Sequence, residues 1–199
     1  HNTEFSDFSK GSVASNIVRL AIPVTLAQLV NILYNIVDRI YIGRFMEHST
    51  DALTGVGICF PIVTIVVAFS NLICTGGAPL FSMERGKGEE QEAEAIMGNS
   101  MTILLVFSVI LTVLGLLARR PILYALGASD ITFPYANDYI TIYLLGNVFV
   151  LVSLGMNSFI NAQGFGRTGM LTIVIGAVLN IGLDPIFIFA LHMGVRGAA

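Results

Sequence analysis

The stretch LAIPVTLAQLVNILYNIVD, residues 20–38, carries no charge from residue 20 to residue 37 and then ends in Asp38. A helix needs about 20 predominantly apolar residues to cross the hydrocarbon core of a bilayer, so the stretch predicts a transmembrane helix. An intramembrane carboxylate costs about 2.5–3.5 kcal/mol on insertion scales, which favours a functional role for Asp38. The alternative is an interfacial pair with Arg39, although adjacent helical residues do not face each other.

The composition extends this interpretation to the whole chain. Hydrophobic residues make up 55% of the 199 residues, charged residues make up 12%, and the mean hydropathy is +0.81. Soluble domains carry about 25% charged residues. The smaller charged fraction of this chain cannot cover a water-facing surface. We therefore expect the lipid bilayer as solvent. The net charge of −3 gives no basic surface for nucleic acid.

Further long uncharged runs follow, separated by short polar stretches. These runs span residues 52–83, 95–118, 139–166 and 168–183. They predict an all-α integral membrane protein, a single transmembrane domain over residues 1–199. Its helices are expected at about 15–43, 52–83, 94–118, 134–163 and 168–192. The stretch VRGAA at the end is interpreted as the start of a sixth helix, so we expect a fragment of a larger membrane protein. Lysine and arginine are balanced between the two sides and do not decide the orientation.

Polar side chains form a stripe along the first predicted helix. Gln28, Asn31, Asn35 and Asp38 follow spacings of three, four and three, which places them on one helical face. Amides on such a face can bond to neighbouring helices and add roughly 1 kcal/mol each. We favour the other interpretation, a wall lining a water-accessible cavity, because the stripe ends in an ionisable group.

A second polar group lies in LNIGLDPIF, residues 179–187. Asn180 and Asp184 are four residues apart and share a helical face. Pro185 leaves the carbonyl of Ile181 without its helical partner. A carbonyl, an amide oxygen and a carboxylate are typical ligands of hard cations. Asp184 could instead begin a new helix as its N-cap, but a single kinked helix fits the length of the run better.

The topology brings the two polar groups to one depth. Helices 1 and 5 run in the same direction, so Asp38 and Asp184 are expected at similar depth, their carboxylates within about 10 Å of each other. Helix 4 runs the opposite way, so Tyr139 and Tyr143 near its start reach the same depth. Asn157 lies further along helix 4, towards the other side of the membrane.

At this point a family resemblance becomes clear. The chain resembles the multidrug and toxic compound extrusion (MATE) family in three stretches, which are AIPVTLAQLVNILYNIVDRIYIG (21–43), NIGLDPIFIF (180–189) and GVRGAA (194–199). The resemblance implies two six-helix lobes around a central cavity, of which this chain would be most of the N-terminal lobe. It also implies a missing C-terminal lobe as partner, a plasma-membrane location, and export of small cationic amphipathic compounds in exchange for H⁺ or Na⁺. No other cofactor is expected.

The resemblance also assigns roles to residues. Asp38, Asn180 and Asp184 match the cation-coupling residues of the family and would hold Na⁺ if that is the coupling ion, and Tyr139 matches a tyrosine of the same network. The remaining polar residues are assigned to the substrate cavity: Gln28, Asn31, Asn35, Tyr143 and Asn157.

Other functions remain as alternatives. A lipid-linked saccharide flippase of related fold would need basic residues in its cavity, and the spans carry none well inside them. A membrane-embedded enzyme or an assembly subunit is a further alternative. GFGRTG, residues 164–169, matches a dinucleotide-binding pattern but lacks the βαβ context, so it predicts a loop between helices. We expect the protein not to be an enzyme.

Overall fold

The computed structural model describes residues 12–45, 49–190 and 194–198. Within these ranges the chain forms α1 (Val13–Phe45), α2 (Ser49–Lys87), α3 (Glu90–Ala125), α4 (Phe133–Ala162) and α5 (Gly166–Pro185). A π-helical turn (Ile186–Ala190) and a 3₁₀ turn (Gly194–Ala198) follow α5. All five α-helices are long and apolar enough to span a membrane, and the described residues contain no β-strand. The expected all-α membrane architecture is confirmed.

Helices α2, α3 and α4 form the core of the molecule. Both α2 and α3 pack closely against α4, and α2 and α4 are more deeply buried than α3. Glycine permits close approach here, since a Cβ on Gly155 of α4 would lie within 3.1 Å of the Cys74 sulfur of α2 and even closer to Leu104 of α3. The amide of Asn147, fully buried, donates to the carbonyl of Ser108 over 3.1 Å and joins α4 to α3. Small residues and such polar bonds are common helix-packing devices in lipid.

Helices α1 and α5 form a second layer beside this core. α1 packs mainly against α5 and makes a smaller contact with α2, while α5 reaches α4. Many large apolar side chains of α1 are exposed, among them Leu29, Ile32 and Ile36. Side chains of this kind suit contact with lipid or with another helical unit, and they leave α1 much less buried than α2 or α4.

The end of α5 departs from regular helix at a proline. Pro185 has no N–H to donate, and the backbone continues after it as a π-helical turn rather than as α-helix. Asp184 lies in the last turn of α5 and does not begin a new helix. At the other end of α5, the loop predicted at residues 164–169 is shorter than expected, because α5 already begins at Gly166. A tight turn precedes it, with Gly164 in the left-handed conformation (φ 87°).

Candidate functional site

Asp38 is half-buried in the second half of α1. Its Oδ1 atom is buried and has no hydrogen-bond partner among the described residues. The neighbouring Arg39 lies over the ring of Phe60 in α2, with its guanidinium carbon 4.3 Å from the ring centroid. Ion pairs in the described part of the chain join Lys87 to Glu84 and Arg196 to Asp138, and neither involves Asp38. The arrangement favours a cation–π partner on α2 for Arg39 over the interfacial pair with Asp38.

Asp184 and Asn180 lie on the facing helix. Asp184 is only 2% exposed, and its Oδ2 atom is buried without a hydrogen-bond partner in the described part of the chain. Asn180 lies one helical turn earlier, and its Oδ1 atom is likewise buried without a hydrogen-bond partner among the described residues. Asp38 and Asp184 are close enough to interact electrostatically, consistent with the packing of α1 on α5. Three acceptor oxygens without partners therefore lie on two neighbouring helices.

Unpartnered acceptors of this kind are energetically unfavourable. Each buried polar group without a partner costs about 1–3 kcal/mol, and a charged group costs more. A cation that binds between the carboxylates would offset this cost and reduce the repulsion between Asp38 and Asp184. Oxygen donors suit a hard cation such as Na⁺, and a carboxylate can equally carry a proton. The described residues contain no cluster of three or more His, Cys, Asp or Glu side chains that could hold a metal ion.

Tyrosines of α4 border the same space. Tyr139 interacts electrostatically with Asp38, and its ring stacks against Tyr143 with a centroid distance of 6.3 Å and an interplanar angle of 11°. The tyrosine predicted as part of the coupling network is therefore near one of its carboxylates. Tyr143 lies one helical turn after Tyr139 on α4.

Tyr34 was not predicted from the sequence as a residue of this site. This residue lies one helical turn before Asp38 on α1 and interacts electrostatically with Asp38, Tyr139 and Tyr143. The spacing of four residues from Asp38 was the available signal, since it places both side chains on one helical face. An aromatic residue in an apolar span is ordinary, so the spacing alone did not single it out.

Within the polar stripe of α1, the two asparagines differ from Gln28 in burial and in hydrogen bonding. The Asn35 side-chain nitrogen donates to the Asn31 carbonyl over 2.8 Å and to the Asn31 amide oxygen over 3.0 Å. Both residues are half-buried, whereas Gln28 is exposed. The two asparagines thus bond within their own helix. Their assignment to the substrate cavity, together with that of Gln28 and Tyr143, stays a prediction.

Asn157 belongs to a network at the opposite end of α5. Its side-chain nitrogen donates to the Gly169 carbonyl over 2.9 Å and to the Thr172 hydroxyl over 2.8 Å. Its oxygen accepts a hydrogen bond from Asn161 over 2.9 Å. The side chain therefore joins α4 to the beginning of α5. A role in substrate binding for Asn157 stays a prediction.

Comparison with known proteins decides the family. A family model described as MatE matches residues 23–186. The chain belongs to the MATE family. Multidrug export protein MepA of Staphylococcus haemolyticus is 29% identical over 192 residues, covering 96% of this chain and 42% of that protein. The probable multidrug resistance protein YoeA of Bacillus subtilis is 24% identical, with the same coverage.

Solved MATE structures match over the same region. One described as the outward-facing conformation of a multidrug resistance MATE family transporter has a TM-score of 0.90 and 28% identity, covering 100% of this chain and 43% of its own. A second, described as MATE in the straight conformation, has a TM-score of 0.89 and 28% identity. The chain thus spans less than half the length of these relatives and corresponds to the N-terminal lobe of a MATE transporter. It is a multi-pass protein of the plasma membrane.

Proposed function

We propose that this chain is the ion-coupling lobe of a secondary antiporter that exports cationic amphipathic compounds in exchange for H⁺ or Na⁺. The relatives named as multidrug exporters support the transport of drugs. The observation that carries the coupling is the set of buried, unpartnered oxygens on Asp38, Asn180 and Asp184. Groups that take up one positive charge in an otherwise apolar lobe are what an ion-driven transporter requires.

Each residue has a distinct part in this mechanism. Asp38 and Asp184 supply the negative charge, and because they lie on different helices, a cation between them draws α1 and α5 together. Asn180 adds a neutral acceptor one turn from Asp184. If the coupling ion is Na⁺, these three side chains hold it. If the coupling ion is H⁺, one of the two carboxylates carries it.

The coupling to substrate follows from the position of α1. The coupling carboxylate and the polar stripe are both on this helix, and α1 is much less buried than α2 or α4. Elements with few buried contacts are the ones that move in conformational change. A cation that favours one arrangement of α1 against α5 lowers the affinity of the stripe for drug. Reciprocity then requires that bound drug weakens cation binding by the same factor.

Transport by the full-length protein tests the proposal. The purified protein is reconstituted in vesicles loaded with a fluorescent cationic drug, and a pH gradient or an Na⁺ gradient is imposed separately. We expect one gradient to drive drug movement against its concentration and the other to have little effect. Drug movement that responds to neither gradient, in protein shown to bind the drug, contradicts the antiport mechanism.

A further inference from the structure

Two consecutive arginines, Arg119 and Arg120, lie near the end of α3, directly after a long uncharged run. Residues 95–118 contain no charged side chain, and the charge before them is Glu94. A helical run of this length crosses the hydrocarbon core of a bilayer. The two guanidinium groups therefore lie at the level where the hydrocarbon core ends and the lipid headgroups begin.

The outer face of α3 leads from the lipid hydrocarbon to these arginines. α3 packs on α2 and α4 and makes no comparable contact with α1 or α5 in the described part of the chain. Val109, Val113 and Leu117 are 61%, 49% and 78% exposed and follow one another at intervals of four residues. Arg120 and Tyr124 continue the same helical face by steps of three and four. Acyl chains can thus lie along this face with a headgroup beside Arg120.

Arg119 is fixed at the contact between α3 and α4. This half-buried side chain donates through its Nη1 atom to the Thr141 hydroxyl of α4 over 2.8 Å. The same hydroxyl donates to the Asn137 carbonyl over 2.6 Å, so it is itself held in place. A guanidinium has five N–H donors. The other donors of Arg119 have no hydrogen-bond partner among the described residues. A positioned cation with free donors therefore borders the groove between the two helices.

The neighbouring charges leave one positive charge uncompensated. Asp130 accepts a hydrogen bond from the Tyr124 hydroxyl over 3.0 Å, and Tyr124 also interacts electrostatically with Arg120. Asp138 of α4 is paired with Arg196 over 2.9 Å, so this pair adds no net charge. The two consecutive arginines and one carboxylate thus carry a net charge that a single phosphodiester neutralises.

We propose that Arg119 and Arg120 bind the phosphate of an anionic phospholipid whose acyl chains lie along the exposed face of α3. Guanidinium groups bind phosphate through charge-assisted, often bidentate hydrogen bonds, and basic residues near a membrane surface attract anionic lipids. The bond to Thr141 positions Arg119 before the lipid arrives, which reduces the entropy lost on binding. A headgroup held by both arginines connects α3 to the α3–α4 groove. This inference does not depend on the proposed function.

Lipid titration of the full-length protein in detergent, followed by native mass spectrometry, tests the site. Phosphatidylglycerol is compared with phosphatidylcholine of the same acyl chains, which carries the same phosphate but no net charge. The test variant is the double substitution Arg119→Gln with Arg120→Gln. The matched control is Arg85→Gln with Arg167→Gln, which removes the same charge at the opposite membrane face, where α2 ends and α5 begins.

We expect the parent protein to bind phosphatidylglycerol more tightly than phosphatidylcholine. The test variant should lose at least about tenfold in affinity for phosphatidylglycerol, because it removes the charge-assisted hydrogen bonds to the phosphate. The control variant should keep the parent affinity. Equal binding of the two lipids by the parent protein, or an equal loss in the control variant, overturns the proposal, since either result indicates only general attraction to the membrane surface.

Two further variants keep both positive charges and so separate a built site from net charge. Thr141→Val releases Arg119 from α4, and Arg119→Lys with Arg120→Lys replaces each planar fork by a single ammonium. We expect both to bind phosphatidylglycerol more weakly than the parent protein does. Unchanged binding in both overturns the assigned geometry. These variants also maintain the test if the glutamine variant does not fold.

A soluble phosphate tests whether the ligand is a lipid. We expect phosphatidylglycerol to raise the unfolding temperature of the parent protein above its lipid-free value, and sn-glycerol 3-phosphate not to do so, because it lacks acyl chains for the face of α3. Each variant is compared with its own lipid-free unfolding temperature, so a change in intrinsic stability is not counted as a change in binding. Equal stabilisation by the soluble phosphate overturns the assignment to a lipid.

Discussion

Asp38 of α1 and Asp184 of α5 each bury one carboxylate oxygen without a hydrogen-bond partner in the described residues, and the two side chains interact electrostatically across the α1–α5 contact. Two like charges in a mostly apolar lobe repel each other unless a cation or a proton intervenes. Natural proteins seldom leave several buried acceptors unpaired in one place.

Asp38→Asn in the full-length protein should preserve the fold and abolish ion-driven export. The change is nearly isosteric and removes a costly charge, so we expect drug binding to remain measurable. Asp130→Asn is the matched control, because Asp130 is exposed and bonds only to the Tyr124 hydroxyl in the described structure. Export in vesicles under each ion gradient measures the effect. Export at the parent rate with unchanged ion dependence would show that Asp38 does not carry the coupling.

Asp38 and Asp184 should act as one unit. We expect Asp184→Asn to impair coupling as Asp38→Asn does, and the double variant to be no worse than either single variant, because each change already removes one side of the site. In an experimental structure of the whole transporter, the two carboxylates should lie within about 10 Å of each other, where their charges are little screened. Additive losses in the double variant would argue for two independent sites.

Accessibility distinguishes the two interpretations of the polar stripe. Gln28→Cys, Asn31→Cys and Asn35→Cys in the full-length protein should react with aqueous thiol reagents, since a cavity wall is wetted. Leu29→Cys and Ile36→Cys lie on exposed apolar faces of the same helix and should stay protected by lipid. Mass spectrometry of the labelled protein gives the rates. The reverse pattern, with labelling at Leu29 and Ile36 alone, would place the stripe against protein or lipid.

Substitutions at two glycines of α2 distinguish the effect of close packing on stability from the effect of helix propensity. A Cβ on Gly55 would meet Tyr135 at 2.8 Å and the backbone of Ala136 at 3.0 Å, whereas a Cβ on Gly57 meets nothing within 4 Å. Gly55→Ala should therefore destabilise the protein by about 1–3 kcal/mol through overpacking. Gly57→Ala should be neutral or stabilising by up to about 1 kcal/mol, because alanine favours helix. Thermal unfolding in detergent compares the two, and equal midpoints would contradict the packing seen between α2 and α4.

Asn157 should contribute to stability whether or not it binds substrate. Asn157→Ala removes two hydrogen bonds to α5 and one from Asn161, and we expect a loss of about 1–3 kcal/mol. Ser153→Ala, an exposed position one turn earlier, is the control. Unfolding midpoints in detergent provide the measurement. Unchanged stability together with weakened drug binding would favour the cavity role over the interhelical one.

Much of the architecture follows from local features of the chain. Uncharged runs long enough to cross a bilayer, separated by short polar stretches, are sufficient to predict five membrane helices. The alternation of direction then brings Asp38 and Asp184 to one depth without any knowledge of packing. The spacing of Asn180 from Asp184, and of Tyr34 from Asp38, likewise follows from helical periodicity alone.

Only the tertiary structure decided which helices are neighbours. α1 packs on α5 and on α2, and α4 packs on α2, α3 and α5. The α1–α2 contact places Arg39 over Phe60, and the α4–α5 contact joins Asn157 to Gly169. An apolar cluster also brings together side chains of α1, α2 and the 3₁₀ turn. The reason is physical. A helix in lipid carries apolar side chains on its buried and its exposed faces alike, so hydrophobic periodicity does not mark the contact face. Contact faces depend instead on local fit, such as the space left by Gly55 and Gly155, and that fit appears only when the partner helix is in place.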